Sequence, residues 1–152
     1  MKKLYFLLLL LPVLSVAQNT NYIRTTVYKA EFTQSPPSPS ANQAAVSTTY
    51  FDGLGRPIQK VAHKQSAEGQ DIITPIVYDD FGRQLIDYLP YPSTTSSLEY
   101  QDNTSVISAL QSHYITQFPT EGANPYSEKV LEASPLGTLL KQGAPGTPWA
   151  VS

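Results

Sequence analysis

The chain has 152 residues and no cysteine, with ten basic and twelve acidic side chains, 13 prolines and ten tyrosines. Without cysteine, thiol catalysis and disulfides are excluded, and the lack of a Lys/Arg cluster beyond the first residues argues against nucleic acid as a partner. The high content of Tyr, Pro, Ser and Thr favours a turn-rich β protein over a helical bundle.

Residues 1–17 have the three parts of a secretory signal peptide. Two lysines precede an apolar run at 4–14, and small residues follow. The run has about eleven residues, too few to cross a hydrocarbon core of ~30 Å as a helix. We expect cleavage between Ala17 and Gln18, so that the mature protein is secreted or at the cell surface and does not span the membrane. The alternative is a buried N-terminal helix.

Residues 18–43 predict one strand followed by a linker. The segment at 21–32 is rich in β-branched and aromatic residues, which favours a strand. The segment at 34–42 contains SPPSPS, which propagates neither a helix nor a β-ladder and predicts an extended linker. Its alternative is a Pro-rich docking motif.

Residues 44–92 contain one motif twice: FDGLGR at 51–56 recurs as YDDFGR at 78–83. In each copy an Asp side chain can accept from backbone N–H groups two or three residues on, and a Gly can supply the positive φ that ends a turn. Each copy therefore predicts the turn of a hairpin, and the repetition favours stacked units. The repeat-motif residues are Phe51, Asp52, Gly55, Arg56, Tyr78, Asp79, Gly82 and Arg83.

The two turns organise a predicted antiparallel meander with strands at 46–51, 56–64, 71–78 and 83–88, ended by residues 89–92. Because Pro75 lacks an N–H group, the strand that contains it is either an edge strand or has a broken ladder. We expect the two motif arginines to bond carbonyls or carboxylates of the hairpins and not to line a substrate pocket.

Residues 93–152 predict a loop, one short α-helix at about 105–117, and terminal strands at 123–132 and 137–142. The apolar residues of the helix lie at near-helical spacing. Asn103 or Ser105 is expected to cap the helix, with a glycosylation sequon at 103–105 as the alternative.

Catalytic chemistry has weak support. Asp52 and Asp79 are better explained as turn residues than as an acid/base pair, and the other carboxylates include Asp71, Asp80, Asp87 and Glu128. His63 and His113 are far apart, without an acidic partner at ligand spacing. No Gly-x-Ser-x-Gly elbow or phosphate loop exists. We therefore expect no enzyme, with no catalytic residue, no cofactor and no metal site.

The two motif copies at 51–56 and 78–83 resemble the YD repeat of the RHS/YD family. More specifically, three ordered blocks at 50–57, 71–76 and 78–83 are similar to a domain of unknown function that follows the signal peptide in long RHS-repeat proteins of some Gram-negative bacteria. NPYSEKV at 124–130, SPL at 134–136 and QGAPG at 142–146 fit the same domain.

The resemblance implies a non-enzymatic structural module, the N-terminal segment of an exported RHS/YD-repeat shell of the toxin or adhesin type, including polymorphic toxins. Its partners would then be downstream repeats of the same or a longer chain. The alternative is a module that binds a carbohydrate or cell surface through exposed tyrosines and Trp149. Packed Tyr50, Tyr78 and Tyr88 would favour the shell, and a solvent-facing aromatic row would favour binding.

Overall fold

The computed structural model describes residues 21–34, 36, 39–134 and 136–151. The predicted signal peptide and its cleavage site between Ala17 and Gln18 lie outside these residues. For the described part of the chain, the prediction of a mainly β fold with antiparallel sheets and one α-helix is confirmed. The elements are β1 (Asn21–Tyr28), β2 (Ala44–Phe51), β3 (Pro57–Ala62), β4 (Ile72–Pro75), β5 (Ile86–Tyr88), β6 (Tyr91–Pro92), α1 (Asn103–Gln117), β7 (Tyr126–Leu131), β8 (Leu139–Gly143) and a 3-10 helix at Thr147–Trp149.

The first sheet has five strands in the order β1-β2-β3-β4-β6, and all neighbours are antiparallel. Side chains alternate between its faces, as the two-residue period of a strand requires. Thr48 and Tyr50 of β2 and Gln59 and Val61 of β3 are buried on the same face. One face of this sheet therefore carries the core.

Pro75 marks the point where the meander changes sheets. β4 is not an edge strand, because β3 and β6 pair with it on its two sides. Of the two predicted consequences of the proline, the broken ladder is the one observed: β4 ends at Pro75, and Ile76 forms only an isolated bridge with Asp87. The chain then enters β5, which belongs to a second sheet in the order β5-β7-β8.

Three chain reversals lie at one end of this strand array. The chain reverses between β2 and β3, between β4 and β5, and between β7 and β8, and the antiparallel pairings put all three at the same end. We call this end the turn edge; its described residues are 52–56, 79–83, 134 and 136–138. Because strands are ~4.8 Å apart and the reversals occur at every second strand, successive turns are about 10 Å apart.

The core lies between the first sheet and helix α1. Val106 and Leu110 of α1 are four residues apart, share a helix face and are almost completely buried. They pack with a cluster that comprises Tyr50, Val61, Ile73, Tyr91 and Leu98. The apolar face is shorter than its sequence pattern suggests, because Ile115 and Phe118 are 48% and 54% exposed.

The helix begins differently from the prediction. Asp102 is the N-cap, and its side chain accepts the backbone N–H of Ser105 at 3.0 Å. The prediction of Asn103 or Ser105 as the cap was wrong, because the Asn103 side chain has other partners. Its amide donates to the carbonyls of Ile58 and Ile76 at 3.0 and 3.1 Å, which ties the start of the helix to the break after β4.

Residues 89–92, which were predicted to end the meander, contain a short strand that was not predicted. Tyr91 and Pro92 form β6, opposite Ile73 and Ile72 of β4. β6 is the last strand of its sheet, a position where a proline removes no required ladder hydrogen bond.

Candidate functional site

The first turn (residues 52–56) is organised by the carboxylate of Asp52. Its Oδ1 accepts the backbone N–H groups of Leu54 at 2.9 Å and Arg56 at 2.8 Å, and its Oδ2 accepts Arg56 Nε at 2.8 Å. The Asp52 N–H donates to the Arg56 carbonyl, and the Gly55 N–H donates to the Asp52 carbonyl. Gly55 has φ +78°, so the loop is a tight turn closed by a glycine bulge.

The second turn (residues 79–83) has the same geometry. Asp79 accepts the N–H groups of Phe81 at 3.0 Å and Arg83 at 2.8 Å, and Arg83 Nε donates to its other oxygen at 2.8 Å. Gly82 has φ +75°. The predicted Asp hydrogen bond to the residue two positions on, and the predicted positive φ at both glycines, are therefore confirmed.

Both carboxyl groups are held in the ionised form. The backbone N–H of Arg56 is the largest cause that lowers the pKa of Asp52 from its ordinary value, and the backbone N–H of Arg83 does the same for Asp79. The guanidinium of the same arginine lowers each pKa further. A carboxyl group held ionised in this way is a poor proton donor at neutral pH, so the turns favour a structural role for these residues.

Arg56 connects the first turn to the second. Its guanidinium carbon lies 4.5 Å from the centroid of the Tyr78 ring, within the range of a cation–π contact. A Cβ atom at Gly82 would lie only 2.7 Å from Arg56 Nη1, so the arginine occupies the space that a side chain there would need. The Tyr78 hydroxyl donates to the carbonyl of Pro57 at 2.9 Å and adds a second link.

Arg83 reaches toward the next turn along the edge. It lies over the ring of Phe81 at 5.0 Å, and its Nη1 is 3.9 Å from the position of a Cβ at Gly137. Arg83 also borders an open surface depression together with Phe81, Ala133 and Ser134. The second and third turns leave this gap between them, and the expectation that neither motif arginine lines a substrate pocket stays a prediction.

A third turn (described residues 134 and 136–138) does not match the sequence motif. Ser134 takes the place of the Asp: its hydroxyl accepts the N–H of Leu136, and its carbonyl accepts the N–H of Gly137. Gly137 has φ +59°. Thr138 takes the place of the Arg and bonds the carboxylate of Glu132, whose pKa is lowered by hydrogen bonds from Ser134 and Thr138.

The turn at 66–70, at the opposite end of the array, uses the same backbone pattern. Ser66 N–H donates to the Gln70 carbonyl, Gly69 N–H donates to the Ser66 carbonyl, and the Ser66 hydroxyl accepts the Gln70 N–H at 2.7 Å. Ser can replace Asp as a weaker acceptor in such turns. The spacing Ser-x-x-Gly, which this turn shares with the third turn, was thus the available sequence signal for the third turn.

Asp71 is the one aspartate buried in the core of the described chain, with 1% of its surface exposed. Its Oδ1 accepts the backbone N–H of Lys64 at 2.9 Å and lies 2.9 Å from Nδ1 of His63, and its Oδ2 accepts the N–H of Leu98 at 2.8 Å. Lys64 and Leu98 are the two described non-glycine residues with positive φ, at 51° and 59°. Asp71 therefore holds two strained backbone positions in place.

No acidic partner for His63 was expected at ligand spacing in the sequence, but in the structure Asp71 is its partner. β3 and β4 pair with Ala62 opposite Ile72, so the next positions outward, His63 and Asp71, face each other. Ser66 lies opposite Gln70 in the turn at 66–70, so counting outward from that turn would have placed Asp71 opposite Gln65 and would not have revealed this pair. In the structure as described, no hydroxyl group bonds to His63, so the pair is not joined to a serine or threonine nucleophile.

The tyrosines that discriminate the two functional hypotheses are packed. Tyr50 is 5% exposed, and its hydroxyl donates to the Leu98 carbonyl. Tyr78 is covered by Arg56, and Tyr88 packs edge-on against Tyr126 at 5.6 Å. These three rings form no solvent-facing row.

One small apolar cavity of about 170 Å³ lies beside the end of α1. Tyr114 and Phe118 form one wall with nearly parallel rings, 6.4 Å apart at 20°. Glu121 and Asn124 supply polar groups at its border. Elsewhere, no group of three His, Asp or Glu residues in the described ranges is placed to hold a metal ion. None of the described helices is long and apolar enough to cross a membrane.

A model of one protein family, described as a domain of unknown function (DUF6443), matches residues 24–152. The chain belongs to the DUF6443 family. Its match includes all three turns of the turn edge, the buried Asp71 and helix α1. No curated protein and no solved structure shows significant similarity to this DUF6443 chain.

Proposed function

We propose that the chain is a non-enzymatic structural module, the N-terminal segment of an exported RHS/YD-repeat shell protein of the toxin or adhesin type. The observation that carries the proposal is the contact of Arg56 with Tyr78 and Gly82 of the following turn. The arginine of this motif packs against the next copy of the motif. Such a motif is suited to building an array of hairpins, in which each unit contacts its neighbours.

The end of the described array can receive further repeats. β8 is the last strand of its sheet, and Leu139 and Leu140 are 50% and 60% exposed. Leu136 at the tip of the third turn is 87% exposed. Apolar groups on an edge strand favour coverage by another element. Downstream YD hairpins, of the same or a longer chain, are the partners that fit this edge.

The absence of activity is tested with a hydrolase screen and a glycan array on the exported chain. The Asp52→Ala, Asp79→Ala double variant is the control, with its fold checked by circular dichroism. We expect no turnover and no glycan binding in either protein. Turnover or binding that disappears in a folded double variant would overturn the structural proposal.

Export is a separate part of the proposal and has its own test. The intact mass of protein recovered outside the cytoplasm should correspond to a chain that begins at Gln18. An exported product that still contains residues 1–17 would show that the predicted cleavage after Ala17 does not occur.

A carbohydrate-binding module is the second candidate, and the cavity beside α1 is the observation that favours it. Aromatic walls suit the C–H face of a sugar ring, and Glu121 and Asn124 could accept or donate hydrogen bonds at the border. Phe118→Ala should abolish glycan binding if the candidate is right. Phe81→Ala, which changes an exposed phenylalanine outside the cavity, should leave it unchanged.

A further inference from the structure

Strand β1 presents an unprotected edge. All eight of its residues are exposed, and among the described residues no strand pairs with its side opposite to β2. Its pairing with β2 is continuous, without a bulge, and it contains no proline. Proteins usually protect such edges with charges, prolines or bulges, and the one charged residue in β1 is Arg24.

The alternation of hydrogen bonds between β1 and β2 shows which backbone groups of β1 point away from β2. Lys29 N–H donates to the Gln43 carbonyl at 2.9 Å, one position beyond the β1–β2 register. Because hydrogen-bonded positions alternate along an antiparallel ladder, the odd-numbered residues of β1 bond to β2. The N–H and C=O groups of Tyr22, Arg24 and Thr26 therefore point away from the sheet.

We infer that β1 pairs with β1 of a second copy of this chain, antiparallel, about a two-fold axis at Thr25. A two-fold axis perpendicular to the sheet keeps each side chain on the same face of the sheet. Because residues on one face recur every two positions, each odd-numbered residue must then lie opposite an odd-numbered one, and each even-numbered residue opposite an even-numbered one. With the axis at Thr25, Arg24 of one copy lies opposite Thr26 of the other. Ile23 then lies opposite Val27, and these side chains are 61% and 59% exposed in one copy.

Compared with the axis at Thr25, the two neighbouring registers place side chains of less compatible charge or polarity opposite each other. An axis at Arg24 would place two arginines directly opposite each other, which is unfavourable. An axis at Thr26 would place Ile23 opposite Lys29. A head-to-tail pairing of β1 with β8 would engage a strand of only five residues and would propagate without closing. Within β1 the axis at Thr25 pairs as many residues as the axis at Arg24 and more than the axis at Thr26, and it separates the charges.

Cysteine cross-linking tests the register, since the chain has no cysteine of its own. Across the proposed interface the two Thr25 residues form a non-hydrogen-bonded pair, with Cα atoms ~4.5 Å apart, within the range of a disulfide. Thr25→Cys should therefore form a covalent dimer under mild oxidation. Ile23→Cys is the matched control: it lies on the same face, but the two copies would be about 13 Å apart and should not link.

Sedimentation of the exported wild-type chain should show a dimer, and Ile23→Lys should raise its dissociation constant about tenfold or more, because two apolar pairs are lost. Both cysteine variants should unfold like the wild type. Three results would each overturn the inference: a monomeric wild type, equal cross-linking of both cysteine variants, or self-association without a Thr25→Cys cross-link. The last result would indicate β1–β8 pairing or another surface. These outcomes are independent of the proposed shell function.

Discussion

The side chains of Asp52 and Asp71 each make three hydrogen bonds, but their surroundings are opposite. All partners of Asp52 lie within four residues of it, at the protein surface. Asp71 is buried, and one of its partners, Leu98, is 27 residues away. The first arrangement is a local turn that a six-residue motif can specify and repeat. The second joins three segments of the chain and depends on the finished fold.

The two arrangements also differ in how they accommodate positive φ. In the turns the residue is a glycine, for which the conformation has little cost. Around Asp71 the residues are Lys64 and Leu98, whose side chains make it unfavourable by on the order of 1 kcal/mol each. The hydrogen bonds from their N–H groups to Asp71 offset this strain. Asp71 should therefore matter more for stability than either motif aspartate.

Asp71→Asn should give the largest effect. The amide would direct its NH2 group at a backbone N–H that needs an acceptor, and buried polar groups would lose partners. We expect the free energy of unfolding in urea to fall by about 3 kcal/mol or more. Asp80→Asn is the control, because Asp80 is exposed, and it should change stability by less than ~0.5 kcal/mol. Equal small losses would show that Asp71 is not the more demanding site.

Gly82→Val and Gly55→Val separate backbone strain from the contact between turns. Both glycines have φ near +75°, so each substitution should cost about 1–2 kcal/mol. At Gly55 a Cβ meets nothing within 4 Å, whereas at Gly82 it meets Arg56. Gly82→Val should therefore lose roughly a further 0.5–1 kcal/mol, because the new side chain displaces the end of Arg56 from the Tyr78 ring. Equal losses at the two positions, measured by urea denaturation, would argue against the packing of Arg56 on the second turn.

The motif aspartates should contribute a stability that depends on pH. Because their pKa values are lower in the folded protein than the ordinary value of 3.8, the contribution is present above that value and is lost as the pH falls through the folded-state pKa. The difference in urea midpoint between wild type and the Asp52→Ala, Asp79→Ala variant should be largest at neutral pH and should shrink in acid.

Ser66→Ala is the control for this pH dependence. It removes the same kind of turn hydrogen bond without a titrating group, so its smaller effect, about 0.5 kcal/mol, should not vary with pH. A difference between wild type and the double aspartate variant that stays constant down to strongly acidic pH would contradict the assigned role of the carboxylates.

The sequence predicted the features whose causes are local. The turns at 52–56 and 79–83 follow from an acceptor side chain and a glycine three residues later. Helix α1 follows from the spacing of its apolar residues, although its cap was misassigned. The turn at 66–70 and the third turn have the same spacing but use Ser, a weaker acceptor, in place of Asp. A motif defined by Asp and Arg therefore does not match them.

The features that the sequence did not predict depend on long-range contacts. The division of strands between two sheets follows from the broken ladder at Pro75. From the sequence, the proline was equally compatible with an edge strand and with a broken ladder. The His63–Asp71 pair required the register of β3 and β4. Asn103 was assigned as a cap because helix starts favour it, but the carbonyls left by the break after β4 compete for its amide.

A double-mutant cycle on Arg56→Met and Tyr78→Leu tests the central claim, that the motif arginine couples one turn to the next. Unfolding free energies of the four proteins should give a favourable coupling of about 0.5–1 kcal/mol. The matched cycle with Arg83→Met and Tyr78→Leu should give a coupling near zero, because Arg83 lies over Phe81 instead. A coupling near zero for Arg56 and Tyr78, or an equal coupling in both cycles, would contradict the claim.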